Sequence, residues 1–334
     1  MFFKSKILIF LPTLIFGSIL TVSSSSWFSA WIGLEINLMS MAPILLNKST
    51  PKSTEATIKY FIFQALASSM LIFFILSSSV MFFYSLGNYL LYIITASLTL
   101  KIGMAPFHFW FPQVMMCSNW PQCFILLTWQ KLAPFILLSF CFCNFFNLII
   151  FLSALIGMLG GINQFNTKIL LAYSSIIHSS WMLSLIVTNN LFWGFYLLAY
   201  TLITLSILYP LSSFSSSFFN NFLLMKFSSF SKSLFFINFL SIAGLPPFLG
   251  FSIKIFTLIS LFNSNFSIFL ILVLLLSSFV SFYFYLRMMF SSLFNFSWIN
   301  NFIWYNSNSF KLEIWFIFIS FFINSFIPLV IILT

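Results

Sequence analysis

Apolar runs of about twenty residues follow one another along this chain almost without pause, and a run of that length crosses a bilayer as one helix. Eleven candidate spans stand out, at 7–22, 26–46, 57–84, 88–106, 122–140, 146–162, 168–187, 192–213, 234–262, 266–289 and 314–333. A mean hydropathy of +1.11 with only 5% charged residues excludes a water-soluble globule. The expectation is one transmembrane domain over 1–334, all-α, a polytopic helical bundle of about eleven helices. Little chain is left for a soluble domain.

Lys4 and Lys6, followed by an apolar run that ends at the serines Ser23 to Ser26, have the layout of a secretory signal. The segment lacks a clean A-x-A cleavage site, and counted as a span it makes the charges sort. With eleven crossings, Lys4, Lys6, Lys48, Lys52, Lys59, Lys168, Lys226, Lys232, Arg287 and Lys311 all fall on or beside the N-terminal side of the membrane. The positive-inside rule then puts the N-terminus in the cytoplasm or the mitochondrial matrix and the C-terminus on the other face. The net charge of +10 is therefore a topology signal, with anionic lipid as a secondary partner, and it calls for no nucleic acid.

Of the 13 basic residues, three are left inside predicted spans: Lys101, Lys131 and Lys254. Glu35, near the middle of the second span, joins them. A charge at the centre of a span costs about 2.5–3.5 kcal/mol on insertion scales, although a long side chain near a helix end escapes by snorkelling. Four such groups in one chain point to an ion or proton path.

Helix breakers accompany the lysines. Lys101 precedes Pro106 in "KIGMAPF", Lys131 precedes Pro134 in "WQKLAP", and Lys254 follows Pro246 and Pro247 in "AGLPPFLGFSIK". Proline removes a backbone N–H and frees a carbonyl of the previous turn, which lipid cannot satisfy, so such breaks persist where protein or water lines the site. Broken spans at matching points of two halves suggest an inverted-repeat transporter with its ion site at the midplane.

"WIGLEINLMSMAPIL", "STEATIKYFIFQALAS", "KIGMAPFHFWFP", "LTWQKLAP", "NQFNTKILLAYSSIIHSSWM" and "AGLPPFLGF" occur in that order up to about residue 260. In them the chain resembles the antiporter-like membrane subunits of the proton-translocating NADH:ubiquinone oxidoreductase of mitochondria, respiratory complex I. The resemblance implies an antiporter-like inverted-repeat fold with broken helices, in the animal mitochondrial form that lacks the first three helices. It also implies a multi-pass protein of the mitochondrial inner membrane, surrounded by other membrane subunits of the complex, neighbouring antiporter-like subunits above all, and by lipid such as cardiolipin. Carried over by motif, Glu35 in "GLEIN" takes the role of the membrane glutamate and Lys101 in "LKIGMAPF" that of its paired lysine. Lys131 in "TWQKLAP" takes the central lysine, Lys254 the distal one, and His178 in "AYSSIIHSSW" a relay position between them.

Each histidine keeps a second reading. His178 shares a helical face with Ser174, Ser175 and Trp181, which suits a hydrogen-bonded packing residue equally well. His108 is either a proton-entry residue or an interfacial one among Phe107, Phe109 and Trp110. Two positions depart from the family pattern: Gln113 stands where a glutamate is usual, and Lys168 is all that remains of an Arg-Lys pair. Both weaken a proton-collecting role for the 108–121 loop.

No glycine-rich phosphate loop or soluble nucleotide fold is present, so NADH and flavin are expected to bind elsewhere and this chain to hold no cofactor. Cys117, Cys123, Cys141 and Cys143 lack the spacing of a metal or cluster site and read as small hydrophobes. The Ser/Asn/Phe-rich loops at 213–233 and 290–311 add little chemistry. The second, with Trp298, Trp304 and Tyr305, reads as an interfacial anchor or a contact with a neighbouring subunit. A free-standing cation/proton antiporter shares the expected fold and is the main rival. A structural spacer is the other, and the four costly buried charges argue against it.

Overall fold

The computed structural model describes residues 2–46, 50–80, 87–141, 143–188, 191–212, 229–246, 248–264, 266–294 and Asn324. Among them are thirteen α-helices and no strand: α1 (Phe2–Ser23), α2 (Trp27–Leu45), α3 (Pro51–Val80), α4 (Gly87–Ile102), α5 (Trp110–Cys117), α6 (Trp120–Leu127), α7 (Trp129–Leu138), α8 (Phe145–Ile162), α9 (Thr167–Val187), α10 (Phe192–Leu211), α11 (Ser229–Ala243), α12 (Leu249–Asn263) and α13 (Ile268–Phe294). Seven stretches are long and apolar enough to cross a bilayer, with α6 and α7 counted as one, and α1, α4 and α12 contribute shorter apolar helices. The chain is a multi-pass α-helical membrane protein. The expected span at 314–333 lies outside the described residues except for Asn324, which is helical and donates to Asn238 Oδ1 at 3.0 Å.

The chain divides into two compact units, residues 1–153 and 154–334. Each contains a close contact between helices and a broken helix. In the first unit, α1 and α2 pack closely through glycines: a Cβ on Gly33 would lie 2.8 Å from the Gly17 carbonyl and 2.6 Å from Thr21 Cγ2. In the second, a Cβ on Gly157 of α8 would lie 2.6 Å from Ile177 Cγ1 of α9. Small residues at such contacts allow helix backbones to approach where lipid supplies no hydrophobic drive.

A broken helix follows in each unit, and the two breaks share one geometry. Gly103 has φ +80° and Gly244 φ +86°, the left-handed region that a residue without Cβ enters at little cost. Met104 N–H donates to Thr99 O and Gly103 N–H to Leu100 O; likewise Leu245 N–H donates to Leu240 O and Gly244 N–H to Ser241 O. This pair of bonds is the Schellman ending of a helix. Thus the expected span at 234–262 is two helices, and the expected loop at 108–121 is mostly helical, because α5 occupies Trp110–Cys117.

The third break is not where proline predicts it. Pro134 stays inside α7, and the helix is interrupted six residues earlier at Thr128, with φ −118° and ψ −71°. There Thr128 Oγ1 donates to Phe124 O at 2.7 Å, engaging a carbonyl of the preceding turn. These two divisions, together with α5, turn the ten expected spans that fall within the described residues into thirteen helices.

Two substitutions test this packing. Gly33→Leu is expected to destabilise the α1–α2 contact by about 1–3 kcal/mol, since the side chain meets backbone that cannot give way. Gly244→Ala is expected to cost about 1–2 kcal/mol through its left-handed backbone. Both should lower the thermal midpoint of the detergent-solubilised protein. Gly194→Leu should not, because nothing lies within 4 Å of its Cβ position.

Candidate functional site

Lys101 lies in the last turn of α4, where the carbonyl end of the helix dipole favours a cation. The end of that helix is bound on several sides. Trp110 Nε1 donates to Leu100 O at 3.1 Å, and Gln64 Nε2, from α3, donates to the Lys101 carbonyl at 3.1 Å. The Lys101 side chain is 4% exposed. Its Nζ has no hydrogen-bond partner among the described residues, and no ion pair with Glu35 closes within 4 Å. Glu35, half-buried on α2, still bears on Lys101 and on Tyr60 through its charge. The sequence-derived pair therefore sits in one electrostatic neighbourhood without touching.

Lys131 is carried by α7, one turn past the interruption at Thr128, and is 2% exposed. Its Nζ lies 5.6 Å from the centroid of the Phe111 ring. A ring face attracts a desolvated cation by roughly 2 kcal/mol. The α4–α5 break sets this contact up: a Cβ on Gly103 would lie 2.9 Å from Phe111 Cβ, so the absence of a side chain there lets the ring pack against the turn. Gln130, beside Lys131 in sequence, accepts from Tyr60 Oη at 3.3 Å. Tyr60 is 1% exposed and packs edge-on against Trp110, with ring centroids 5.9 Å apart. Glu35, Lys101 and Lys131 thus belong to one group of helices, joined there by Tyr60, Gln64 and Gln130.

In the second unit, Lys254 on α12 reaches back across the break. Its Nζ donates to the Ala243 carbonyl at the end of α11, at 2.8 Å. The Schellman bonds use the Leu240 and Ser241 carbonyls, and the ammonium takes the last residue's. A Cβ on Gly244 would come within 3.0 Å of Nζ, so the glycine also provides the space for it. Lys254 is buried and directed to a helix end, which rules out the snorkelling alternative for its placement here.

His178 lies on α9, an almost wholly buried helix. Its Nδ1 is 2.9 Å from Tyr196 Oη, and its ring is 5.0 Å from that of Tyr200. A small cavity of about 10 Å³ adjoins all three. The imidazole is therefore both hydrogen-bonded and next to a space of about one water, a geometry that serves packing and relay alike. His108 is not an exposed interfacial residue. It is 5% exposed and turned onto the Pro106 carbonyl at 3.3 Å, while neighbouring Phe109 is 68% exposed.

Tyr60, Gln64, Gln130 and Tyr196 are the neighbours that sequence reasoning missed. The two glutamines, like Asn37, are polar residues inside apolar spans, and that was a usable signal. Among the described residues no group of three His, Cys, Asp or Glu side chains gathers as a metal site.

The family profile described as NADH:quinone oxidoreductase/Mrp antiporter, TM, matches residues 24–281. NADH-ubiquinone oxidoreductase chain 2 of Anopheles gambiae is 43% identical over 289 residues, covering 85% of this chain and 84% of that one. Its counterpart in Lemur catta is 38% identical over 314 residues, covering 89% of each. A chain of respiratory complex I from Thermus thermophilus with bound Aureothin superposes with a TM-score of 0.83 at 23% identity, covering 97% of this chain and 78% of that one. A chain of the Mrp complex from Dietzia sp. DQ12-45-1b gives a TM-score of 0.73 at 15% identity, covering 84% and 59%. The antiporter-like fold that the resemblance implies is shared with these structures, and the chain belongs to the NADH:quinone oxidoreductase/Mrp antiporter membrane family, among its NADH-ubiquinone oxidoreductase chain 2 members.

Proposed function

We propose that this chain is a proton-translocating subunit of NADH:ubiquinone oxidoreductase in the mitochondrial inner membrane, and that Glu35, Lys101 and Lys131 in its first unit and His178 and Lys254 in its second carry the proton. The observation that supports this most is the burial of three lysines, at 4%, 2% and 7% exposure, all on interrupted helices of a membrane-spanning chain. A buried ammonium is costly to keep and simple to neutralise by losing a proton, so such a group suits proton carriage better than scaffolding.

Charge coupling gives the carriers a way to influence one another. Two unit charges about 10 Å apart at an effective dielectric of about 20 interact by about 1.7 kcal/mol, enough to favour release of one proton when the next site gains another. Moving a proton across 100 mV takes about 2.3 kcal/mol. Coupling of this size passes protons along but does not drive them uphill, so the energy comes from redox chemistry in partner subunits. The chain itself holds no redox cofactor in this reading, and neighbouring antiporter-like subunits and lipid, cardiolipin included, cover its flanks. The N-terminus faces the matrix.

Lys131→Met is expected to lower NADH-driven proton pumping by the assembled complex in sealed vesicles roughly tenfold or more. NADH oxidation and complex content are recorded together. Unchanged pumping and oxidation in a fully assembled complex would make Lys131 a tolerated core charge and overturn the reading. Orientation is checked separately: protease added to mitoplasts with an intact inner membrane should spare an N-terminal epitope tag and remove it once the membrane is opened. Purification of the native protein should return a multi-subunit assembly, and recovery of a lone monomer would favour a free-standing antiporter.

A further inference from the structure

Inside the first unit a cavity of about 10 Å³ is walled by Asn37, Tyr60, Gln64, Lys101, Gln130 and Pro134 among others. That is about the volume at which one water fits, and a water is held only where two to four polar groups meet it. Three buried polar atoms of residues in this wall have no hydrogen-bond partner among the described residues: Lys101 Nζ, Gln130 Nε2 and Asn37 Oδ1. The first two are donors and the third is an acceptor. One water matches that set, accepting from the ammonium and the amide and donating to the Asn37 oxygen. Left without such a match in a dry interior, each of these groups would be a net cost to the fold.

The surrounding residues decide which end of the Gln130 amide is available. Tyr60 Oη donates to Gln130 Oε1, which commits that oxygen and leaves Nε2 as the unpaired end. Gln64 is occupied elsewhere, since its amide donates to the Lys101 backbone carbonyl. Gln64 therefore fixes the end of α4, while Gln130 and Asn37 remain for the ammonium.

We infer that Gln130 and Asn37 are positioning residues that hold a bound water against Lys101, and that Tyr60 sets the orientation of the Gln130 amide. The water gives Lys101 a hydrogen-bonded route for its proton. On release, the Lys101 N–H bond breaks as an O–H bond forms on the water, and the water passes one of its other protons to the next neutral base of the path, returning to H2O. No co-reactant is consumed. The inference rests on the reading of Lys101 as a proton carrier, and the experiment separates the two.

The experiment uses the assembled complex, with an electron-microscopic map that resolves ordered water and with NADH-driven pumping measured across a range of pH. The wild type should show a water peak within hydrogen-bonding distance of Lys101 Nζ and Gln130 Nε2. Gln130→Met, of similar length but without the amide, should lose that peak, slow pumping about tenfold and displace its pH profile. A packing defect would instead scale the rate equally at every pH. Tyr60→Phe, which keeps the amide but frees it to turn, should give a smaller loss. If Gln130→Met fails to assemble, Asn37→Ala removes the acceptor instead and carries the same expectation. Absence of the peak in the wild type overturns the inference, as does wild-type pumping with an undisplaced pH profile in an assembled Gln130→Met complex. Lys101→Met distinguishes the levels: normal pumping in that variant removes Lys101 from the path altogether. Loss of pumping there, with none in Gln130→Met, removes only the positioning role.

Discussion

An ammonium group in a membrane-spanning chain has to be met by something other than bulk water, and much of this structure follows from how that is done. The protein brings helix ends into the interior by breaking helices at Gly103 and Gly244, each at positive φ. Every broken helix exposes carbonyls, which carry the negative end of its dipole. At the α11 break two carbonyls are closed by backbone N–H groups and the Ala243 carbonyl is taken by Lys254. At the α4 break the same backbone bonds close the Thr99 and Leu100 carbonyls, and side chains add to them: Trp110 donates to the Leu100 carbonyl and Gln64 to the Lys101 carbonyl. The same backbone device thus leaves one lysine engaged and the ammonium of the other without a hydrogen-bond partner among the described residues.

That difference gives the two lysines different electrostatic surroundings. Lys254 is held by a fixed dipole that does not change its charge. Lys101 has Glu35 in its electrostatic neighbourhood without contact, so that influence varies with any motion of α2 relative to α4. On the proposed proton path, a group poised in this way responds to conformational change. Lys131 lies against the Phe111 ring, whose face stabilises a cation.

Much of this was legible before any coordinates. Lys101, Lys131, Lys254 and Glu35 stand out because charge is rare in these spans, and helix breakers beside two of the lysines are legible at Pro106 in "KIGMAPF" and at Pro246 and Pro247 in "AGLPPFLGF", although the turn itself falls at a glycine in each. What escaped reading has physical reasons. Pro134 marked a distortion but not its location, because a proline in a helix strains the preceding turns and the chain yields where a hydroxyl, here that of Thr128, is at hand to bind a carbonyl. His108 reads from sequence as a proton-entry or an interfacial residue, and its inward turn onto the Pro106 carbonyl is set by the fold of the break and not by its aromatic neighbours in sequence. The partners Tyr60, Gln64 and Tyr196 come from other helices, and periodicity along one segment says nothing of what a neighbouring helix presents.

Packing and chemistry also meet at a residue that carries no charge. A Cβ on Gly17 of α1 would lie 2.7 Å from Asn37 Oδ1, so the amide occupies room that only a glycine on the adjacent helix provides. Asn37 lines the same cavity as Lys101 and sits two positions beyond Glu35 on α2. Had α1 carried a larger residue there, α2 would have been pushed outward, moving both the acceptor and the carboxylate that influence Lys101. A close helix contact that looks purely structural therefore helps to set the polarity around a buried lysine. The glycines of α1 and α2 are part of the site for that reason, although none of their atoms can hold a proton.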